Sequence, residues 1–244
     1  GGVNLNLFPV KLDTYGVRTE APDCRCKAFD EMADGIGSGE GCGVVILKTL
    51  TSAKAQNNRI YAVVKGASVN NDGKTSGITV PNPIAQQNLI MSAWKDAGIR
   101  PDDVSYIEAH GTGTPIGDPI EIQGIDGAFK QCAARNHRCA VGSVKTNIGH
   151  LDSASGIASF IKTALMLHNR FLPKSLHFHR FSPLVDTDAL SLYIQTEGEP
   201  WRTQSGRLIA GVSAFGLSGT NCHVVLENIA DNGTPTQREI PLSG

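Results

Sequence analysis

The sequence predicts an α/β fold built on a mostly parallel sheet. Three observations carry that expectation. Short apolar runs alternate with stretches of helical period, the connections are short and rich in glycine, and two connections repeat one strand–turn–helix pattern. With 244 residues, 40% of them apolar, the chain is long enough for one large core.

Taken in order, residues 1–10 supply an interrupted strand, and residues 12–23 a polar segment with turn chemistry at Gly16 and Pro22. After Cys24-Arg25-Cys26, glycines and acids crowd residues 33–41, as expected of a loop that walls a site. Residues 42–50 (C-G-V-V-I-L-K-T-L) read as a buried strand, 51–58 as a short helix or turn, and 60–69 as a second strand. Asn82-Pro83 pairs a cap with a first-turn proline. Ile84, Leu89, Ile90, Ala93, Trp94 and Ala97 then follow at helical spacing up to Gly98.

Residues 104–107 form the next strand. Asp118 as N-cap, Pro119 at the first position and Glu121 three residues after the cap open a helix to about residue 134. A strand at 140–144 leads to a helix opened by residues 152–156, with Ala154, Ile157, Ala158, Ile161, Ala164 and Leu165 as its apolar stripe. His168 ends that helix, where an imidazolium suits the dipole. His177 and His179 alternate with apolar residues in an extended stretch and are assigned surface or packing roles. Strands at 207–213 and 222–227 close the fold. Gly216 and Gly219, between them, permit the backbone of an active-site loop.

Charge excludes some functions. Against 22 basic residues stand 23 acidic ones, a net charge of −1, so neither nucleic acid nor an anionic membrane is expected as partner. No apolar run approaches the ~20 residues of a spanning helix. The six cysteines lack the spacing of a disulfide framework or a metal site, which points to a cytoplasmic location and no bound metal. Residues 231–244 read as a polar linker.

The chemistry concentrates at the repeated junctions. Residues 107–118 read I-E-A-H-G-T-G-T-P-I-G-D and put His110 where a strand meets a glycine turn. Gly111 and Gly113 let backbone approach a ligand, and Thr112 and Thr114 offer hydroxyls. Residues 145–150, K-T-N-I-G-H, repeat the arrangement with Lys145 and His150. Two imidazoles and an ammonium at strand ends suit acyl transfer on a thioester, where an enolate or alkoxide must be stabilised.

E-A-H-G-T-G-T and K-T-N-I-G-H resemble the two histidine motifs of β-ketoacyl synthases, in particular the ketosynthase domains of modular polyketide synthases. Residues 69–82 and A-F-G-L-S-G-T-N-C-H at 214–223 resemble further stretches of that family, in the family's order. The resemblance implies a thiolase-like fold, of which this chain is the end of the first half plus the complete second half. Residues 1–50 would close the N-terminal half, 51–230 form the C-terminal half with both histidine motifs, and 231–244 begin the following linker.

It further implies decarboxylative Claisen condensation between a cysteine-bound acyl chain and malonyl-acyl carrier protein. His110 and His150 would polarise the malonyl carbonyl, and Lys145 would orient the second histidine and keep the imidazoles neutral. Thr112 and Thr114 match threonines that hold phosphopantetheine, which arrives on the carrier protein and is not bound by this chain as a cofactor. Phe215, followed by Gly216, matches a gatekeeper whose N–H helps form an oxyanion hole. Asp118 and Asn147 fall in the outer shell of the site. A homodimer through the ketosynthase domain is implied as well.

The family's D-T-A-C-S-S nucleophile motif is absent, and residues 1–5 resemble a stretch downstream of it. The chain alone is therefore expected not to condense. Asp152 stands where the family has Glu, and Cys222 where it has Ala. The competing expectation is a non-elongating homologue that binds carrier protein without condensing.

Overall fold

The three long helices and the strands at 63–71, 209–215 and 220–227 form within runs that the sequence pattern marked, with their ends shifted by a few residues. The computed structural model describes residues 1–6, 20–77, 80–131 and 138–229. The turn at Gly16, Ile78 and Thr79, Cys132, Arg135, His137 and the tail at 231–244 lie outside the described residues.

In chain order, strand β1 is Gly2–Asn4 and β2 is Gly41–Gly43; helix α1 (Leu50–Ala55), strand β3 (Val63–Asn71) and helix α2 (Pro83–Ala97) follow. Next come β4 (Tyr106–Glu108), α3 (Gly117–Lys130), β5 (Cys139–Gly142), α4 (Lys145–Ile148) and α5 (Ser155–Asn169). Strands β6 (Phe171–Leu172), β7 (Leu192–Ile194), β8 (Glu199–Pro200), β9 (Ile209–Phe215) and β10 (Thr220–Glu227) complete the described chain.

The main sheet has six strands in the order β3-β10-β9-β4-β5-β7. Strand β4 runs parallel to β5 and β9, and β5 parallel to β7, whereas β10 is antiparallel to both β3 and β9. The sheet is mixed but mostly parallel, as expected: β3, β9, β4, β5 and β7 point one way and β10 alone runs against them, because β9 and β10 are joined by a short turn that only an antiparallel pair accepts.

Side-chain alternation divides the core into two layers. Ile107, Val141, Ile209 and Val225 face a core shared with α2 and α3, in which the rings of Trp94 and Phe129 lie 4.9 Å apart. Tyr106, Ala140, Ala210 and Leu226 point the other way, towards Met166 and Leu167 of α5. Buried on both faces, β4 carries the composition expected of a central strand.

Helix α2 forms as expected. Asn82 Oδ1 accepts from the backbone N–H of Ile84 and Ala85, Pro83 is the first residue, and Gly98 ends the helix at φ 62°. Ile84 departs from the stripe and is exposed. Helix α3 starts at Gly117, so Asp118 lies inside it and is not its N-cap.

Two further expectations are corrected. Of the apolar run 42–50 only Cys42 and Gly43 pair as a strand, with β1; Val44, Ile46 and Leu47 have no strand beside them among the described residues, and Ile46 is 94% exposed. In α5 the face on the sheet is Ser155, Ser159, Thr163, Met166 and Leu167. Small polar residues let the helix approach β9, and Thr163 Oγ1 donates to the Ser159 carbonyl at 2.9 Å. The apolar stripe Ile157, Ala158, Ile161 and Leu165 instead lines an open cavity of about 590 Å³ against β2. At the end of α5, His168 packs on Tyr61, and burial and then the Arg59 charge lower its pKa, which works against the imidazolium expected there.

Candidate active site

The carboxyl ends of the adjacent parallel strands β4 and β5 carry the two junctions, which brings their turns together. The rings of His110 and His150 meet edge to face with centroids 5.4 Å apart. Ser143 Oγ, just past β5, donates to the Gly111 carbonyl at 3.0 Å and ties one turn to the other. Gly111 has φ 38°, and a Cβ there would lie 2.8 Å from the Ser143 side chain, so the contact needs glycine.

Each imidazole is fixed through Nδ1. The backbone N–H of Asp152 donates to His150 Nδ1 at 2.9 Å, and that of Phe215 donates to His110 Nδ1 at 3.3 Å. With Nδ1 accepting, the proton of each neutral ring belongs on Nε2, which leaves two N–H donors. The carboxylate of Asp152 lies farther from His150 Nδ1, at 3.6 Å, and is exposed, so the closer N–H sets the tautomer.

Both rings are held neutral. Burial and then the Lys145 charge lower the pKa of His150 to about 3, and the same causes, with His150 added, push His110 well below its ordinary value. Lys145 itself is buried, which lowers its pKa against the pull of Glu121 and Glu108. Its ammonium donates to the His110 carbonyl at 2.5 Å and lies 3.5 Å from His110 Nδ1. Lys145 therefore hydrogen-bonds the first histidine, where the expectation had it orient the second, while its field reaches both.

Two buried carboxylates shape the first turn. Asp118 accepts from the N–H of Phe29 (2.6 Å), Gly113 (3.1 Å) and Thr114 (3.2 Å). Glu121 accepts from the N–H of His110 (2.7 Å) and Gly111 (2.8 Å). Burial raises both pKa values, that of Asp118 to about 6. Sequence reasoning read Glu121 as a capping partner. The available signal was its spacing of three from Asp118, which puts both on one helical face.

The glycine-rich loop walls the site as expected. His150 N–H donates to the Gly37 carbonyl at 2.7 Å, Gly39 N–H to the His150 carbonyl at 2.9 Å, and Gly35 N–H to the Gly113 carbonyl at 3.0 Å.

The β-ketoacyl synthase N-terminal domain model matches residues 1–53, and the C-terminal domain model matches residues 61–179. The chain belongs to the β-ketoacyl synthase family. Similar relatives include polyketide synthase PksL of Bacillus subtilis (strain 168), 46% identical over 93% of this chain and 5% of its own length. A phenolphthiocerol/phthiocerol polyketide synthase from Mycobacterium tuberculosis (strain CDC 1551 / Oshkosh) is 44% identical over 99% of this chain and 13% of the relative.

Among solved structures, the oxazolomycin ketosynthase domain OzmH KS7 of Streptomyces albus JA3453 matches with a TM-score of 0.89 at 40% identity, over 96% of this chain and 42% of that one. The ketosynthase from module 6 of the bacillaene synthase of Bacillus subtilis 168 matches with the same TM-score and identity, over 93% and 42%. The mixed α/β sheet is that of the thiolase-like fold, and this ketosynthase chain spans less than half of those solved chains.

The remaining expected residues fall around the ketosynthase site in different ways. Thr112 and Thr114 are half-buried, with their hydroxyls 3.3 Å apart. The ring of Phe215 lies 5.4 Å from that of His110, and its N–H, which the resemblance offers to an oxyanion, is engaged by His110. Gly216 closes the β9–β10 turn through its N–H on the Thr220 carbonyl; of the turn's two glycines, Gly219 is the one with a positive φ, 83°. Asn147 is exposed and accepts from Thr146 Oγ1, so it is not packed behind the histidines.

Among the described cysteines, Cys139 is buried in the sheet, Cys24 and Cys42 are exposed, and burial raises the thiol pKa of Cys26 and Cys222. No group of three metal-ligating side chains gathers among the described residues, and no described helix is long and apolar enough to cross a membrane.

Proposed function

We propose that this chain supplies the two-histidine half of a condensing site that decarboxylates a malonyl thioester and joins it to an acyl group. The pair of neutral imidazoles, each accepting at Nδ1 and so presenting Nε2–H, carries the reading. A malonyl thioester oxygen placed between them meets two donors in a site from which water is largely excluded. As the carboxylate C–C bond breaks, CO₂ leaves and its electron pair passes to the α-carbon and thioester oxygen. The enolate oxygen is held by the two N–H groups, and the buried Lys145 ammonium adds a favourable field. The enolate carbon then attacks the acyl carbonyl, a C–C bond forms, and the acyl-carrying thiolate leaves.

We assign that thiolate to a part of the ketosynthase beyond this chain, since the D-T-A-C-S-S nucleophile motif does not occur in residues 1–244. On this reading residues 1–50 belong to the half that carries the thiolate, residues 51–230 are the histidine half, and the fragment alone does not condense. The malonyl group arrives on the phosphopantetheine arm of an acyl carrier protein, with Thr112 and Thr114 as partners for the arm. The intact domain works as a homodimer, as the family resemblance suggests.

CO₂ release from a malonyl thioester by the full-length protein tests the reading. His110→Ala and His150→Ala are each expected to slow release about 100-fold or more. Release within threefold of the parent in both variants would overturn it.

A further inference from the structure

Glu108, at the end of β4, is fully buried yet takes no part in the chemistry above. One carboxylate oxygen accepts from Lys162 Nζ at 2.6 Å and from Tyr106 Oη at 2.7 Å. The other accepts from the Val144 N–H at 2.6 Å. Lys162 Nζ also donates to Tyr106 Oη at 3.1 Å, and its side chain is only 12% exposed. A Cβ on Gly142 would fall 2.6 Å from Tyr106 Oη and 3.6 Å from Lys162 Nζ, so β5 is bare of a side chain where the cluster packs.

Two members of this cluster adjoin active-site groups in the sequence, and a third lies on the helix that follows His150. Glu108 is two residues before His110, Val144 immediately precedes Lys145, and Lys162 rises from α5, whose approach begins just after His150. A buried ion pair is poor evidence of stability for its own sake, because desolvating two charges offsets much of their attraction. Its better-attested use is to fix one arrangement among neighbours.

We propose that the buried Glu108–Lys162 pair is a positioning device that sets the spacing of His110, Lys145 and His150 by gripping the Val144 N–H and anchoring α5 to β4. This rests on the two-histidine reading and deepens it. Both residues act through the site and touch no substrate.

The full-length protein tests it through malonyl decarboxylation, acyl loading of its nucleophile and histidine ¹⁵N shifts. Glu108→Gln keeps the shape and removes the charge; decarboxylation is expected to fall at least tenfold with KM and acyl loading within threefold of the parent. Adding Lys162→Met removes the stranded ammonium and is expected to recover melting temperature without recovering the rate.

Decarboxylation within twofold of the parent in the folded double variant overturns the proposal and leaves the two-histidine reading intact. Should neither variant fold, Lys162→Arg is read instead: a threefold or larger loss supports positioning, and an unchanged rate contradicts it. Should the parent itself fail to decarboxylate, the functional reading fails. The shifts then decide positioning alone, since His110 and His150 resonances unmoved by Glu108→Gln overturn it.

Discussion

At the scale of single residues, backbone donors and buried charge set the site. Asp118 is the clearest case: one carboxylate gathers N–H groups from Phe29, Gly113 and Thr114, and so ties the segment before the walling loop to the first histidine turn. Asp118→Asn turns an amide NH₂ towards those donors and leaves at least one of them unpaired in the interior. The expected cost is about 1–3 kcal/mol, read from urea unfolding with unchanged slope; a loss under about 0.5 kcal/mol would assign the turn geometry to glycine alone. Motif and junction coincide at His110, Lys145 and His150, so that these residues gather was legible in the sequence; that Lys145 bonds His110, and that Asp118 lies inside α3, was not. Nor were the roles of Glu121 and Glu108, since each acts across the fold on a backbone N–H that no local pattern announces.

Among the elements, legibility followed how much of each partner surface lies close in the chain. Helix α2 could be read from its cap, proline and C-terminal glycine, all local signals. Helix α5 could be read as a helix, but its apolar stripe misled about its contact face, because the sheet takes the Ser155, Ser159 and Thr163 side. The run after β2 could not be read at all from hydrophobicity, which says that a segment wants burial and not where its partner is.

The β3–α2 contact offers a test at this scale. A Cβ on Gly66 would lie 2.5 Å from the Ala97 backbone nitrogen, and Asp96 Oδ2 already accepts from the neighbouring Ala67 N–H at 2.9 Å. Gly66→Ala must push α2 off the sheet and is expected to destabilise by about 1–3 kcal/mol. A neutral effect on the unfolding midpoint would mean that the helix yields freely.

Across the molecule, buried histidines and buried carboxylates pull the pH dependence in opposite directions. His223, inside the sheet with Nδ1 2.9 Å from Ser213 Oγ, is held by burial to a pKa of about 3, as is His150. Between their ordinary value of 6.5 and 3, the unfolded chain binds protons that the folded one refuses, so stability falls with pH by ~1.4 kcal/mol per unit per histidine. Asp118 works the other way: between about 6 and 3.8 the folded state binds a proton that the unfolded state does not, so stability rises as pH falls.

His110 adds to the histidine side and Glu121 to the carboxylate side. Below 3.8 the carboxylates gain nothing more, and Asp30, Asp103 and Glu227, held low in the fold, begin to lose their contribution. Three histidines that lose stability stand against two carboxylates that gain it, so melting temperature is expected to decline gently from about pH 6 to about 4.5 and to drop steeply below about 4. A flat melting temperature down to about pH 4.5 would mean that the carboxylates offset all three histidines.

The whole reading depends on His110 and His150 being neutral with their protons on Nε2. Nitrogen-15 NMR of the histidine-labelled chain, titrated from pH 7 to 4.5, measures both properties at once. Protonated Nε2, bare Nδ1 and no imidazolium down to about pH 5 is the expected result for both rings. A proton on Nδ1 of either ring, or an imidazolium at pH 7, would remove one of the two donors and contradict the two-histidine site.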